Sequence, residues 1–320
     1  MPISADRVIR RPTTGSVIDD YPSLANGPLL GVDLDFAGQP TQHATHILHP
    51  YVAAINPPLA RALIEAYVPA GELICDPFVG GGGVLVECLL SGRTGVGFDI
   101  NPLAVLLSQT KTSWCSKARL DRSIAEVLAE VPTSPGPEDF PLGMPHGASG
   151  SALEPPSVPD VPDIIRFWYQ DRNIRDLVAL KKAVCRMDRN PEQRALKTAL
   201  SAAARDSMLT YRGEVRLRRL VEKDLARFRA DSIRLFHKRS GLLVDRIPCL
   251  PKEPCPRVST GDVRAIPLGD GECHTIVCSP PYADDKNGVG YFQFSRNMLY
   301  WIGHGLEDIA LAKARFLGGI

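Results

Sequence analysis

Apolar and polar positions along this chain switch between a helical and an extended period, and the switches mark out its elements. Pro57 to Tyr67 reads Pro-Pro-Leu-Ala-Arg-Ala-Leu-Ile-Glu-Ala-Tyr, with apolar residues at helical spacing behind starting prolines, and predicts a helix ended by Gly71. Leu73-Ile74-Cys75 follows as a short apolar strand that stops at Asp76-Pro77. A glycine turn, Gly80 to Gly83, leads into a helix from Val84 to Leu90. Thr94 to Phe98 predicts a second strand ending at Asp99, and Pro102 to Lys111 another helix. Strand, glycine turn, helix, strand and acidic residue make a right-handed βαβ unit, so the fold class is α/β with a doubly wound parallel sheet.

The rest of the chain divides around this unit. Residues 1–42 mix Pro, Gly, Asp and Thr without periodicity and read as an irregular N-terminal arm, and 43–130 as the first half of the α/β domain. Residues 131–163 are rich in Pro, Gly and Ser, a linker composition. From 164 to 243 the pattern is helical, with Leu177, Leu180, Val184, Leu196 and Leu200 at three- and four-residue steps, so a helical insertion is expected there. Strands resume near Arg257 to Ser259 and from Thr275 to Cys278, and a last helix is expected from Phe292 to Ile302, which makes 244–320 the second half.

Composition narrows the classes. With 37 basic and 36 acidic residues the net charge is +1, so any nucleic-acid surface is local rather than global. One such stretch lies at 205–239, where Arg212, Arg216, Arg218, Arg219 and Arg227 are candidates for phosphate contact; a solvated helix face is the competing reading. No apolar run is long enough to span a bilayer and no secretion signal is evident, so a cytoplasmic protein without a membrane partner is expected. The eight cysteines read as reduced, mostly buried thiols, and no metal is expected. Phe167, Trp168 and Tyr169 read as core.

Candidate chemistry sits at the strand ends. In Asp76-Pro77-Phe78-Val79-Gly80-Gly81-Gly82-Gly83 the glycines let backbone approach a ligand and free amides at a helix N-terminus, which fits a nucleotide, a flavin or S-adenosylmethionine. Asp99 stands where an acidic side chain accepts from ribose hydroxyls, a role compatible with a cap for the next helix. Asp262, in Ser259-Thr260-Gly261-Asp262, is either a partner for an adenine amino group or a turn aspartate. Ser279-Pro280-Pro281-Tyr282 follows an apolar strand, and its prolines fix a rigid loop. Its Ser279 hydroxyl and Pro280 carbonyl suit the hydrogens of an exocyclic base amine, and Tyr282 offers a ring for stacking on an extruded base. Pro248-Cys249 and Pro254-Cys255 lie in a loop away from this strand end and are rejected as cysteine nucleophiles for ring-carbon methylation.

Together with His49-Pro50-Tyr51 and Gly97-Phe98-Asp99-Ile100-Asn101-Pro102, these motifs resemble the amino-methyltransferases of DNA, the N4-cytosine and N6-adenine class, over residues 43 to about 303. The resemblance implies a Rossmann-like methyltransferase sheet, S-adenosylmethionine as cofactor and double-stranded DNA as partner. It implies that His49, Tyr51, Asp76, Pro77, Phe78, Gly80, Gly82, Asp99, Ile100 and Asp262 bind the cofactor, and that Ser279, Pro280, Pro281 and Tyr282 form the catalytic loop. Serine at the head of that loop is more like the cytosine-N4 members than the adenine-N6 members. Gly83 and Val84 depart from the family, which usually carries a small hydroxyl residue there. The family's further strands have no counterpart after Ile302, so the sheet is expected to be incomplete on its C-terminal side, with a second chain as one source of the missing strands. An RNA guanine-N2 methyltransferase and a non-catalytic remnant are the alternatives.

Overall fold

The computed structural model describes residues 27–131, 157–211, 217–281 and 291–316. In chain order the main elements are α1 (Pro57–Tyr67), β1 (Leu73–Asp76), α2 (Gly83–Leu90), β2 (Thr94–Asp99), α3 (Pro102–Thr112), α4 (Lys117–Glu130), α5 (Asp171–Arg186), α6 (Pro191–Asp206), α7 (Ser232–Arg246), β3 (Arg257–Thr260), β4 (Thr275–Ile276), α8 (Tyr291–Trp301) and α9 (Leu306–Arg315). The strands form one parallel sheet in the order β3-β2-β1-β4. Cys75 stands opposite Val96, Phe98 opposite Ser259 and Ile74 opposite Thr275. From β1 the chain winds outward to β2 and β3, then returns to the other side of β1 for β4. The order reverses between β1 and β4, and open parallel sheets place ligands at the carboxyl ends of strands beside such a reversal.

Local sequence fixes the helix starts. Asn101, Asn190 and Asp231 each accept a backbone N–H of the first turn they precede, from Leu103, Gln193 and Arg234. Pro102 and Pro191 occupy the first helical position, where a missing N–H costs nothing. Two helices, α4 and α9, have no counterpart among the elements expected from sequence. In α4, Leu120, Ile124 and Val127 at steps of four and three carry the buried face. Helix α9 buries only Ile309, so its apolar signal is weak.

Apolar burial is split by the sheet. On one side Ile64, Val84, Leu85 and Cys88 of α1 and α2 pack on Ile74 and Val277. On the other a larger core joins Leu103 and Leu107 of α3 to Leu177, Leu196, Phe236 and Trp301 of α5 to α8. The helices expected as an insertion therefore share a core with α3, α4 and α8. Trp168 and Tyr169 are buried as expected, but Phe167 is half exposed. The cysteines are all free, and the expectation of burial holds only in part: Cys75, Cys88 and Cys115 are buried, whereas Cys185, Cys249 and Cys255 are exposed. Among the described residues no helix is long and apolar enough to cross a membrane.

Helix α2 approaches β2 more closely than side chains would allow. A Cβ on Gly97 would lie 2.6 Å from both Leu85 Cδ1 and Val79 Cγ2, and one on Gly95 would lie 2.8 Å from Leu85 Cδ2. Gly97→Ala is therefore expected to destabilise the protein by about 1–3 kcal/mol through overpacking, measured by urea denaturation, although alanine is the better strand former.

Candidate active site

Four strand ends converge on one cleft of about 950 Å³, counting the space open to solvent. Asp76 to Gly81 line it after β1, Asp99 to Asn101 after β2, Gly261 to Val263 after β3, and Ser279 and Pro281 after β4. The segment Tyr51 to Ile55 walls one flank, and Arg315 and Phe316 close it from the end of α9.

The glycine turn shapes the floor. Gly80 has φ +48° and Gly82 φ +82°, left-handed conformations that strain any residue with a Cβ. Tyr51 packs flat against this turn: a Cβ on Gly81 would come 2.7 Å from Tyr51 Cβ, and one on Gly80 3.1 Å from Tyr51 Cε1. The bare backbone thus leaves the cleft open under an aromatic wall. The Gly80 amide donates to Asp99 Oδ2 at 2.9 Å, which ties the turn after β1 to the end of β2. Asp99 Oδ1 accepts the Asn101 amide at 2.8 Å, and Asp76 Oδ1 accepts the Phe78 amide at 3.1 Å. Asn101 donates from Nδ2 to the Tyr51 hydroxyl at 3.0 Å and to Ser295 Oγ at 2.7 Å, so the floor, the wall and α8 are linked through one buried amide.

Both carboxylates are held out of water. Burial raises Asp76 from 3.8 to about 7, with the Asp99 charge adding to the rise and the Phe78 amide opposing it. Burial likewise raises Asp99 to about 6, against the pull of its backbone donors. Asp262 differs: its carboxylate is paired with Arg264 at 2.5 Å, and that guanidinium lowers it to about 2. A ligand donor there would share this partly exposed carboxylate with Arg264.

Most of the residues expected from sequence meet here. Tyr51, Asp76, Pro77, Phe78, Gly80, Asp99, Ile100, Asp262, Ser279 and Pro281 all line the cleft. His49 does not reach it. That ring is buried, with Nδ1 donating to the Pro50 carbonyl at 2.6 Å and Nε2 facing Ser201 Oγ at 3.0 Å. Burial and the nearby Lys111 charge push His49 down to about 3, so it stands neutral as a brace for the segment that carries Tyr51. Gly82 also faces away, toward Ser108 of α3, and Pro280 is not part of the lining. Tyr282, Arg212 and Arg216 lie outside the described residues. Arg218 and Arg227 are exposed away from the cleft; Arg218 lies over the Tyr211 ring, and Arg219 lies over Phe167.

Several neighbours of the site carry no mark in the sequence. Arg315 and Phe316 had no signal, because nothing in the pattern places residue 316 beside residue 76. Lys111 is fully buried, donates to the His49 carbonyl at 2.9 Å and is pushed down to about 8 by burial. His43, His46 and Glu87 form a further polar cluster behind α2, from residues about forty positions apart.

Part of this lining falls in a segment shared with known proteins. Residues 34–110, which carry the segment around Tyr51, the glycine turn and Asp99, match the DNA methylase family model of the N6 and N4 class. The match covers about a quarter of the chain, the part that builds β1, β2 and the turn between them. It is similar to the Type II methyltransferase M.MvaI of Kocuria varians, 27% identical over 288 residues, covering 86% of this chain and 61% of that protein. Type II methyltransferase M.MjaII of Methanocaldococcus jannaschii is 30% identical over 99 residues, 31% of this chain and 18% of its own. A tRNA (guanine(10)-N2)-dimethyltransferase of Methanothermobacter thermautotrophicus is 44% identical over 52 residues, 16% of either chain. The chain therefore spans about three-fifths of the first relative and less than a fifth of the other two. No solved structure matches it.

The buried carboxylate gives a signed expectation. The folded protein holds the Asp76 proton more tightly than the unfolded chain, so this group favours folding at low pH, and its contribution is lost as pH rises from about 4 toward 7. Asp76→Asn keeps an acceptor for the Phe78 amide without the charge. It is expected to stabilise the ligand-free protein by about 1–3 kcal/mol at pH 8 and to change little at pH 4, measured by denaturant titration at both values.

Proposed function

We propose that this chain is an S-adenosylmethionine-dependent methyltransferase that acts on the exocyclic amine of a base in double-stranded DNA, cytosine N4 in preference to adenine N6. The observation that carries the reading is the shared cleft. The Ser279 loop and the glycine turn after Asp76, about two hundred positions apart in sequence, line the same cavity. A methyl donor and its acceptor have to meet in such a place.

The residues present fit the cofactor. Gly80 and Gly81 provide a cradle that a Cβ would fill, and Asp76 and Asp99 offer buried carboxylate oxygens beside it. In this reading Asp76, Pro77, Phe78 and Gly80 hold the methionine end under Tyr51. Asp99 and Ile100 hold the ribose, and Asp262, beside Arg264, the adenine amino group. When bound, S-adenosylmethionine supplies an electrophilic methyl group on a sulfonium. This chain's task is to present the amine. An exocyclic base nitrogen is a poor nucleophile because its lone pair is delocalised into the ring. Ser279 and the Pro280 carbonyl accept its two hydrogens and draw it toward tetrahedral geometry, with the rigid Pro280-Pro281 pair fixing those acceptors. Tyr282 is assigned to stack on the extruded base. Residues 43–130 and 244–320 are assigned as the cofactor and catalytic halves, and the arginines at 218, 219 and 227, with 212 and 216, as phosphate contacts. Serine rather than aspartate at position 279 favours cytosine N4.

Two measurements test this. Isothermal calorimetry should show S-adenosylmethionine binding that Asp99→Ala weakens at least about tenfold, the loss of a charged hydrogen-bond acceptor. Nucleoside mass spectrometry of DNA and RNA from an expressing host should show N4-methylcytosine in DNA, abolished by Tyr282→Ala. The short match to a tRNA guanine-N2 enzyme supports a second reading, and N2-methylguanosine in RNA with unmodified DNA would decide for it.

A further inference from the structure

Behind α2, away from the cleft, two histidines and a glutamate meet at one oxygen atom. His43 Nε2 lies 2.7 Å and His46 Nε2 2.8 Å from Glu87 Oε1, and these three atoms all fall within 4.8 Å of one another. Glu87 sits on α2 and is fully buried, His46 is nearly so, and His43 is partly exposed. The other carboxylate oxygen, Oε2, accepts from Arg61 Nε of α1 at 2.7 Å.

The contacts of His43 place different demands on its two ring nitrogens. Its Nδ1 faces the Pro40 carbonyl at 3.2 Å, which calls for a hydrogen on Nδ1. Its Nε2 faces the Glu87 carboxylate, which calls for a second hydrogen, and also Arg61 Nη2 at 3.4 Å, which calls for a lone pair. With the N–H on Nδ1, the Nε2 lone pair is aimed at the point where Glu87 Oε1 and the second imidazole converge.

We infer that His43, His46 and Glu87 form a binding site for a divalent transition ion of the zinc class. With an ion present each demand is met. His43 Nδ1–H donates to Pro40, both Nε2 lone pairs and Glu87 Oε1 point at the ion, and Arg61 neutralises Oε2. A ligand imidazole that donates its second nitrogen to a backbone carbonyl is the usual outer-shell arrangement. Two imidazoles and a carboxylate suit zinc, with water as the fourth ligand reached past the exposed edge of His43. Ligands about 2.1 Å from a tetrahedral ion stand roughly 3.4 Å apart, so Glu87 Oε1 has to retreat from each imidazole by about 0.6 Å while the two imidazole nitrogens, within 4.8 Å of each other, settle at that same spacing. The ion would clamp residues 43–46 to α2, three positions ahead of the His49-Pro50-Tyr51 segment that walls the cleft. Its role is structural and independent of the methyltransferase reading.

Zinc titration of the untagged, chelator-treated full chain against a chromogenic indicator tests the site. The wild type should bind one equivalent with a dissociation constant below about 1 μM. His46→Ala and the milder His43→Gln should each weaken binding about 100-fold or more, whereas the exposed His237→Ala should not. Zinc should raise the melting temperature of the wild type and leave that of His43→Gln unmoved, which keeps the test open if His46→Ala fails to fold. Failure of the wild type to bind zinc, or wild-type affinity in His43→Gln, overturns the proposal.

Discussion

Two carboxylates kept out of water at the ends of neighbouring strands are the constraint from which the rest of this site follows. Asp76 and Asp99 terminate β1 and β2, whose registers bring Asp76 opposite Gly97, and burial raises both above the ordinary carboxylate range. Neither has a cation as a close partner among the described residues. Asp99 is held by backbone amides, including that of Gly80 in the facing turn, so the turn and the carboxylate fix each other. An arrangement that costs stability without a ligand is what a binding site for a polar, positively charged group would keep.

The surrounding fold serves this placement. Gly95 and Gly97 remove the side chains that would push α2 off the sheet, so its N-terminus and the glycine turn sit directly over the strand ends. Tyr51 covers the turn because its chain segment is pinned from behind. Lys111 holds the His49 carbonyl, Thr45 holds the Lys111 carbonyl at 2.7 Å, and His49 is locked neutral against Ser201 of α6. Buried polar groups of this kind are costly unless each is satisfied, and a well-satisfied set fixes one geometry. The position of the cleft wall is thus set by contacts on the side of the segment away from the cleft.

Much of this is legible in the sequence because it is local. The βαβ unit can be read from apolar runs that end in Asp76-Pro77 and Asp99, since an apolar strand that stops on an acidic residue before a glycine turn or a helix start is a pattern set by neighbours along the chain. The strand before Ser279 is legible for the same reason, though it is shorter than its apolar run, ending at Ile276. What could not be read depends on pairs far apart. The resemblance of His49-Pro50-Tyr51 implies His49 at the cofactor, but its imidazole is buried against Ser201 of α6, a partner about 150 positions away that no local pattern announces. The meeting of His43 and His46 with Glu87, and of Phe316 with the cleft, is a property of packing. Helix α4 carries a legible helical period at Leu120, Ile124 and Val127, and the expected elements passed over it.

The glycine turn after β1, the Asp99 corner and the Ser279 loop line one cleft and should respond to one ligand together. Amide hydrogen exchange with and without saturating S-adenosylhomocysteine tests it most directly. Slowed exchange is predicted together in peptides covering 76–83, 99–101 and 279 onward, with little change in α5. Protection confined to one of these segments, or found only elsewhere in the chain, would contradict it.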